Sequence, residues 1–217
     1  MILSPEVIFM LICLAASLVL VFQRSAEFYL KLFPIYLSIT MAVGIISANL
    51  ASKGKPNIVL YNLFSIFEFV FYFFILKSII KNKKAKKTVN VIIIAYPMLA
   101  ALNLIFLQRG VAFHSMSYTL GCLLVIALCI LYFIDVFQNP ETTSLLKLPA
   151  FWICTAITFS YCCTFPFFAM INFFKQLPPI VGRNLHTIMA LINIFSSILL
   201  TVAFICRIRI PRSTSSS

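Results

Sequence analysis

Tyr61, Ser65, Glu68 and Tyr72 recur at i, i+4, i+7 and i+11, the spacing of one face of an α-helix. Asn62 flanks that stripe, and Phe, Ile, Leu and Val dominate the other faces. Glu68 stands ten residues past Ile58. At 1.5 Å per residue that is roughly 15 Å into an apolar run, about half the thickness of a bilayer core. An acid at that depth is costly unless protonated or partnered, and intramembrane ionisable groups are usually functional. The stripe therefore reads as a ligand-binding or proton-handling face.

Other polar residues recur in the same way. His186 and Asn193 are seven apart and share a helical face, with Ser196 and Ser197 a turn further on. His114, Ser117 and Tyr118 open another apolar run, Asn103 lies about a turn before the end of one, and Asn172 and Asn49 close two more. The candidate ligand-binding set is Tyr61, Asn62, Ser65, Glu68, Tyr72, Asn103, His114, His186 and Asn193. The plainer account of each single Asn, Ser or His is hydrogen bonding between membrane helices. A midplane carboxyl costs more than an amide, so Glu68 carries the functional reading. Asp135, near the end of its run, reads as a solvated end residue.

Several chemistries lack their residues. A retinal Schiff base needs a Lys in the last apolar run, and 185–206 has none. Two His and one deep Glu fall short of three zinc ligands plus a base. Haem between two helices would need both His, which sit near one membrane surface. No acid other than Glu68 lies near His186 to complete a Ser–His–acid triad. Gly44, Gly54, Gly110, Gly121 and Gly182 are isolated, so no phosphate-cradling loop exists. No catalytic residues, metal ligands or cofactor are assigned, and the reading favours binding over catalysis.

The elements that must hold these residues follow from composition. The 217 residues are 62% hydrophobic and only 10% charged, with a mean hydropathy of +1.07. A soluble domain carries about 25% charged residues, so the solvent for this surface is lipid. Seven runs are long enough to span a bilayer: 7–22, 28–50, 58–80, 89–107, 115–137, 150–174 and 185–206. They lack the period-2 alternation of barrel strands, so helices are expected. The fold class is all-α, a polytopic membrane protein built as one bundle of seven transmembrane helices over 1–210. The Ser-rich 211–217 is expected to be a disordered cytoplasmic tail. Met1 to Phe22 carries Glu6, has no basic leader and is as long as a span, so it reads as the uncleaved first helix.

Between the runs, Lys53-Gly54-Lys55-Pro56-Asn57, Gln138-Asn139-Pro140-Glu141 and Gln176-Leu177-Pro178-Pro179 read as turns. Pro34, Pro97 and Pro166 fall inside runs, at positions where membrane helices kink. The cysteines lie within apolar runs without metal-binding spacing and read as free thiols. Net charge is +12. Of 17 Lys and Arg, alternating topology puts 12 on one side, the Lys81–Lys87 loop foremost, and 5 on the other. The basic side is expected in the cytoplasm, with the N-terminus outside, the C-terminus inside, and the bacterial inner membrane as the location. Without a soluble basic module, nucleic-acid binding is not expected. Anionic lipid of the bilayer is the expected partner of the charge.

On this topology the polar candidates gather in the outer half, with Glu68 and Asn193 as a floor. Tyr61–Phe69 and Leu185–Asn193, with the seven-helix layout, resemble a group of small uncharacterised bacterial seven-helix integral membrane proteins. The general shape is also similar to seven-helix sensor modules of bacterial signalling proteins. Those are fused to a cytoplasmic output domain, whereas this sequence stops shortly after Arg212. The expected function is small-ligand binding or sensing through an outer-half pocket, read at the Lys81–Lys87 loop by a separate cytoplasmic or membrane protein partner. A proton-coupled transporter using Glu68 is one alternative, with Tyr72, Tyr132, Thr158 and Tyr161 as its inward path. An accessory subunit or lipid-modifying enzyme is another, with Gly44 and Ser47, or Gly121 and Cys122, giving close helix contact.

Overall fold

A computed structural model describes residues 4–24, 26–107, 113–138, 145–170 and 179–209. Its long helices are α1 (Pro5–Phe22), α2 (Phe33–Ser52), α3 (Ile58–Ile79), α4 (Lys83–Leu102), α5 (Ser115–Gln138), α6 (Pro149–Met170) and α7 (Pro179–Arg209). Each contains a stretch long and apolar enough to cross a membrane. The tail 211–217 and the turn residues 139–141 and 176–178 lie outside the described residues.

Local chemistry sets the helix ends. Pro5 opens α1, where its missing N–H costs nothing, and Glu6 meets the positive end of the helix dipole. Pro34 stands in the first turn of α2 behind a 3-10 turn at Leu30–Leu32, so it starts the helix rather than kinking it. Gly54 closes α2 with φ 66°. Its N–H reaches Ala51 O, and the N–H of Lys55 reaches Leu50 O, the paired bonds of a Schellman stop. That motif requires a residue that tolerates the left-handed region.

The basic stretch differs from the expected loop. Asn82 accepts from the Lys84 and Ala85 N–H groups and starts α4 at Lys83. Most of the Lys81–Lys87 stretch is therefore a helical first turn. An Asn cap satisfies the free N–H groups there even though lysines oppose the dipole. At its far end α4 loosens into a π turn, Asn103–Leu107.

The packing closes a ring. α1 packs on α2 and α7, α3 on α2 and α5, and α6 on α5 and α7, while α4 lies against α3 and α5. On the flank of α3 that faces α4 and α5, the core centres on Phe69, whose ring meets Tyr96, Tyr118 and Tyr161 at 5.4, 5.1 and 5.2 Å. Gly121 makes room for it: a Cβ there would stand 2.8 Å from the Phe69 ring. Gly44 faces open space on the exterior.

Candidate functional site

Inside the ring, toward the end where α3, α5 and α7 begin, lies a cavity of ≈ 980 Å³. Tyr61, Phe64, Ser65, Glu68 and Tyr72 of α3 form one wall, and Ala156, Ser160, Tyr161, Thr164 and Phe168 of α6 form the opposite one. Thr40 of α2, Tyr118 of α5 and Met189, Asn193 and Ser196 of α7 complete it, with Phe113 just ahead of α5. The four-residue stripe on α3 thus faces one space, as helical periodicity requires.

Glu68 sits deep in this cavity. Tyr36 Oη, from α2, donates to Glu68 Oε1 at 2.7 Å. The Tyr36 and Tyr72 hydroxyls lie 3.0 Å apart. Because the Tyr36 proton is spent on Glu68, Tyr72 is the donor in that pair. Tyr161 of α6 lines the same cavity across from them. Glu68 is thereby held by Tyr36 of α2, with Tyr72 of its own helix behind Tyr36. Hydrogen bonds from neutral hydroxyls stabilise a carboxylate but leave its charge uncancelled. Among the described residues no Lys, Arg or His lines the cavity.

Beyond Glu68 the bundle is apolar. Phe33 lies 5.4 Å from Phe71 and 5.3 Å from Phe204, centroid to centroid. Phe33 and Phe204 are fully buried. Tyr36 stacks on Phe71 at 4.4 Å, tying the carboxylate site to this plug. At the end beyond it, Arg207 of α7 is buried and pairs with Glu27 of the α1–α2 connection at 2.8 Å.

Among the remaining sequence candidates, Asn62, Asn103 and His114 are buried in helix contacts rather than lining the cavity. Asn62 Oδ1 accepts the His114 N–H at 3.2 Å, and Asn103 Nδ2 donates to Ser117 Oγ at 2.6 Å. Ser65 lines the cavity but is also bound behind it. Its Oγ donates to Tyr61 O at 2.8 Å and lies 2.6 Å from His114 Nε2. One hydroxyl proton cannot serve both, so Nε2–H of His114 is assigned as the donor to Ser65 and Nδ1 as bare. Nδ1 has no hydrogen-bond partner, which fits a bare nitrogen. A Ser that accepts from its neighbouring His is not activated as a nucleophile. Burial pushes His114, just ahead of α5, down to about 4, so it is neutral at pH 7.

Asn193 lines the cavity from α7, whereas His186 on the same helix is not among its lining residues. Asn172 lies outside the described residues. Tyr36, Thr40, Ser160 and Thr164 escaped the sequence reading as site residues. Tyr36 and Thr40, and Ser160 and Thr164, are each i, i+4 pairs on one helical face, the signal that marked α3. Among the described residues no three His, Cys, Asp or Glu side chains gather as a metal site.

No protein-family model matches the chain, and neither a curated protein nor a solved structure matches it.

Proposed function

We propose that this chain is an integral membrane protein that binds a small molecule in the Glu68 cavity. One observation carries the reading: an acid with hydroxyl partners stands in a large cavity whose other described lining residues are apolar or neutral-polar, with no cation among them. Packing glue would use that carboxyl up between helices, whereas here it keeps a face on open space. A few convergent polar groups in a mostly apolar concavity describe small-molecule sites in general.

The setting is a bilayer, because large apolar side chains such as Phe22, Phe28, Ile94 and Phe106 cover the exterior. The bias of lysines and arginines supports the cytoplasm for the Lys81–Lys87 end and the outside for the cavity mouth, in a bacterial inner membrane. Ligand binding against α3 is then positioned to be sensed at that basic end, because α3 runs from Glu68 to Ile79 just ahead of it. A partner protein would read the change. The likeness to small seven-helix bacterial proteins and to sensor modules belongs to this same proposal.

Mass spectrometry of the protein purified in mild detergent tests it. A stoichiometric non-lipid molecule is expected in the wild type and absent from Ser160→Trp, which fills the cavity from the α6 wall. Bulk lipid alone in both would sink the reading and favour an accessory subunit.

A proton-coupled transporter is the second reading, favoured by the hydroxyl chain from Tyr72 through Tyr36 to Glu68. It would require the Phe33, Phe71 and Phe204 plug to open. pH-driven flux in proteoliposomes, abolished in Glu68→Gln, is its signature, and a ligand that binds without crossing counts against it.

A further inference from the structure

We infer that the ligand of the Glu68 cavity is an organic cation, an amine or quaternary ammonium whose charge sits on the Glu68 carboxylate among tyrosine rings. This rests on the cavity being a small-molecule site and adds the charge of what enters it.

The argument is one of charge balance. The Tyr36 hydroxyl points its proton at Glu68, and Tyr72 points its own at Tyr36. Such donors suit a carboxylate, and none of them would neutralise it. Among the described residues, no cation lines the cavity. Arg207 is paired with Glu27. Lys77 is nine residues further along α3, about 14 Å away. An uncompensated charge in a low-dielectric site is strongly unfavourable; an empty site sheds it by protonation, and a bound cation offsets it while keeping the carboxylate ionised. An anionic ligand would double it.

The walls favour the same charge. Phe113, Tyr118 and Phe168 form a ring cluster on the way in, with Tyr118 and Phe168 4.5 Å apart and Phe113 5.3 and 5.2 Å from them. Tyr72 and Tyr161 meet edge to face at 5.7 Å beside the carboxylate. Aromatic faces attract cations and repel anions through the ring quadrupole. Thr40, Ser65, Ser160, Thr164 and Asn193 offer neutral polar contacts for the rest of such a molecule.

The experiment titrates the full chain in lipid nanodiscs with three probes of similar shape: benzyltrimethylammonium, its uncharged carbon isostere neopentylbenzene, and the anion phenylacetate. Calorimetry and the thermal midpoint are read for each. The cation is expected to bind at least tenfold more tightly than the other two, and Glu68→Gln to weaken it at least tenfold while leaving neopentylbenzene unchanged. Equal or tighter binding of neopentylbenzene or phenylacetate to the wild type overturns the inference but leaves the small-molecule site standing. So does cation binding that is indifferent to Glu68→Gln. If none of the probes binds in a manner blocked by Ser160→Trp, the cavity reading fails and the inference falls with it. The wild-type order of the three probes decides the matter even if Glu68→Gln does not fold.

Discussion

The Tyr36 hydroxyl donates to Glu68 Oε1 at 2.7 Å across the interface of α2 and α3. The bond joins a residue near the start of one helix to the middle of the next, and Tyr36 also stacks on Phe71 of the plug. Anything that moves Glu68 is thereby felt by the aromatic layer that closes the cavity floor.

Tyr36→Phe keeps the ring and removes the donor. A hydrogen bond to a charged group contributes about 1.5–3 kcal/mol, and loss of that order is expected in denaturant unfolding of the detergent-solubilised protein. Combined with Glu68→Gln, the two losses should fall short of additivity by about 1 kcal/mol, because the groups share one interaction. Strict additivity would mean that the bond contributes nothing.

Gly44 and Gly121, both helical, should behave oppositely. Gly121→Ala drives a methyl into the Phe69 ring, where a Cβ has only 2.8 Å, and overpacking of this kind costs about 1–3 kcal/mol. Gly44→Ala meets nothing within 4 Å and should be neutral or stabilising by about 0.5–1 kcal/mol. Thermal midpoints of the two variants compare them directly. A stable Gly121→Ala would contradict the close seating of Phe69.

His114 supplies a pH dependence. Burial holds its folded value near 4, below about 6.5 for the free side chain. The unfolded chain therefore binds the extra proton first. Stability from this group is complete above about pH 6.5 and drains away as pH falls toward 4, by roughly 1–3 kcal/mol. His114→Gln, which keeps a polar group near the Nε2 position, should flatten this part of the midpoint-against-pH curve. Parallel curves for the two proteins would remove the effect from His114.

Glu27→Gln takes the anion from buried Arg207. The pair spans the α1–α2 connection and α7, and the Glu27 side chain is 47% exposed. Solvent screens part of the interaction, so a loss of about 1 kcal/mol is expected rather than the several of a fully buried pair. High salt should shrink the difference between the two proteins. A salt-independent difference would point to packing instead.

The membrane orientation is open to a reporter test. Alkaline phosphatase fused after Arg209 should stay inactive and a fluorescent protein fused there should mature, as for a cytoplasmic C-terminus. Active phosphatase would reverse the orientation and place the cavity mouth on the cytoplasmic side.

Much of this architecture is local, and local features are legible in sequence. Seven described helices are long and apolar enough to span a membrane, the number the sequence leads one to expect, because spanning length depends on about 20 consecutive residues and the pairing of their own backbone. Glu68 and its i, i+4, i+7, i+11 companions line one cavity because helical period alone fixes a shared face. Where the reading differed, capping decided: Asn82 turned an expected loop into the first turn of α4, and Pro34 opened α2 instead of bending it. Tertiary structure alone decided which faces meet. Tyr36 reaches Glu68, Tyr161 lines the same cavity, His114 turns behind Ser65, and His186 is not in the lining, although nothing in their local sequence separates these fates. The rotation of each helix is set by side-chain fit against its neighbours, such as Phe69 against Gly121. That fit couples residues distant in sequence, so hydropathy and spacing cannot report it.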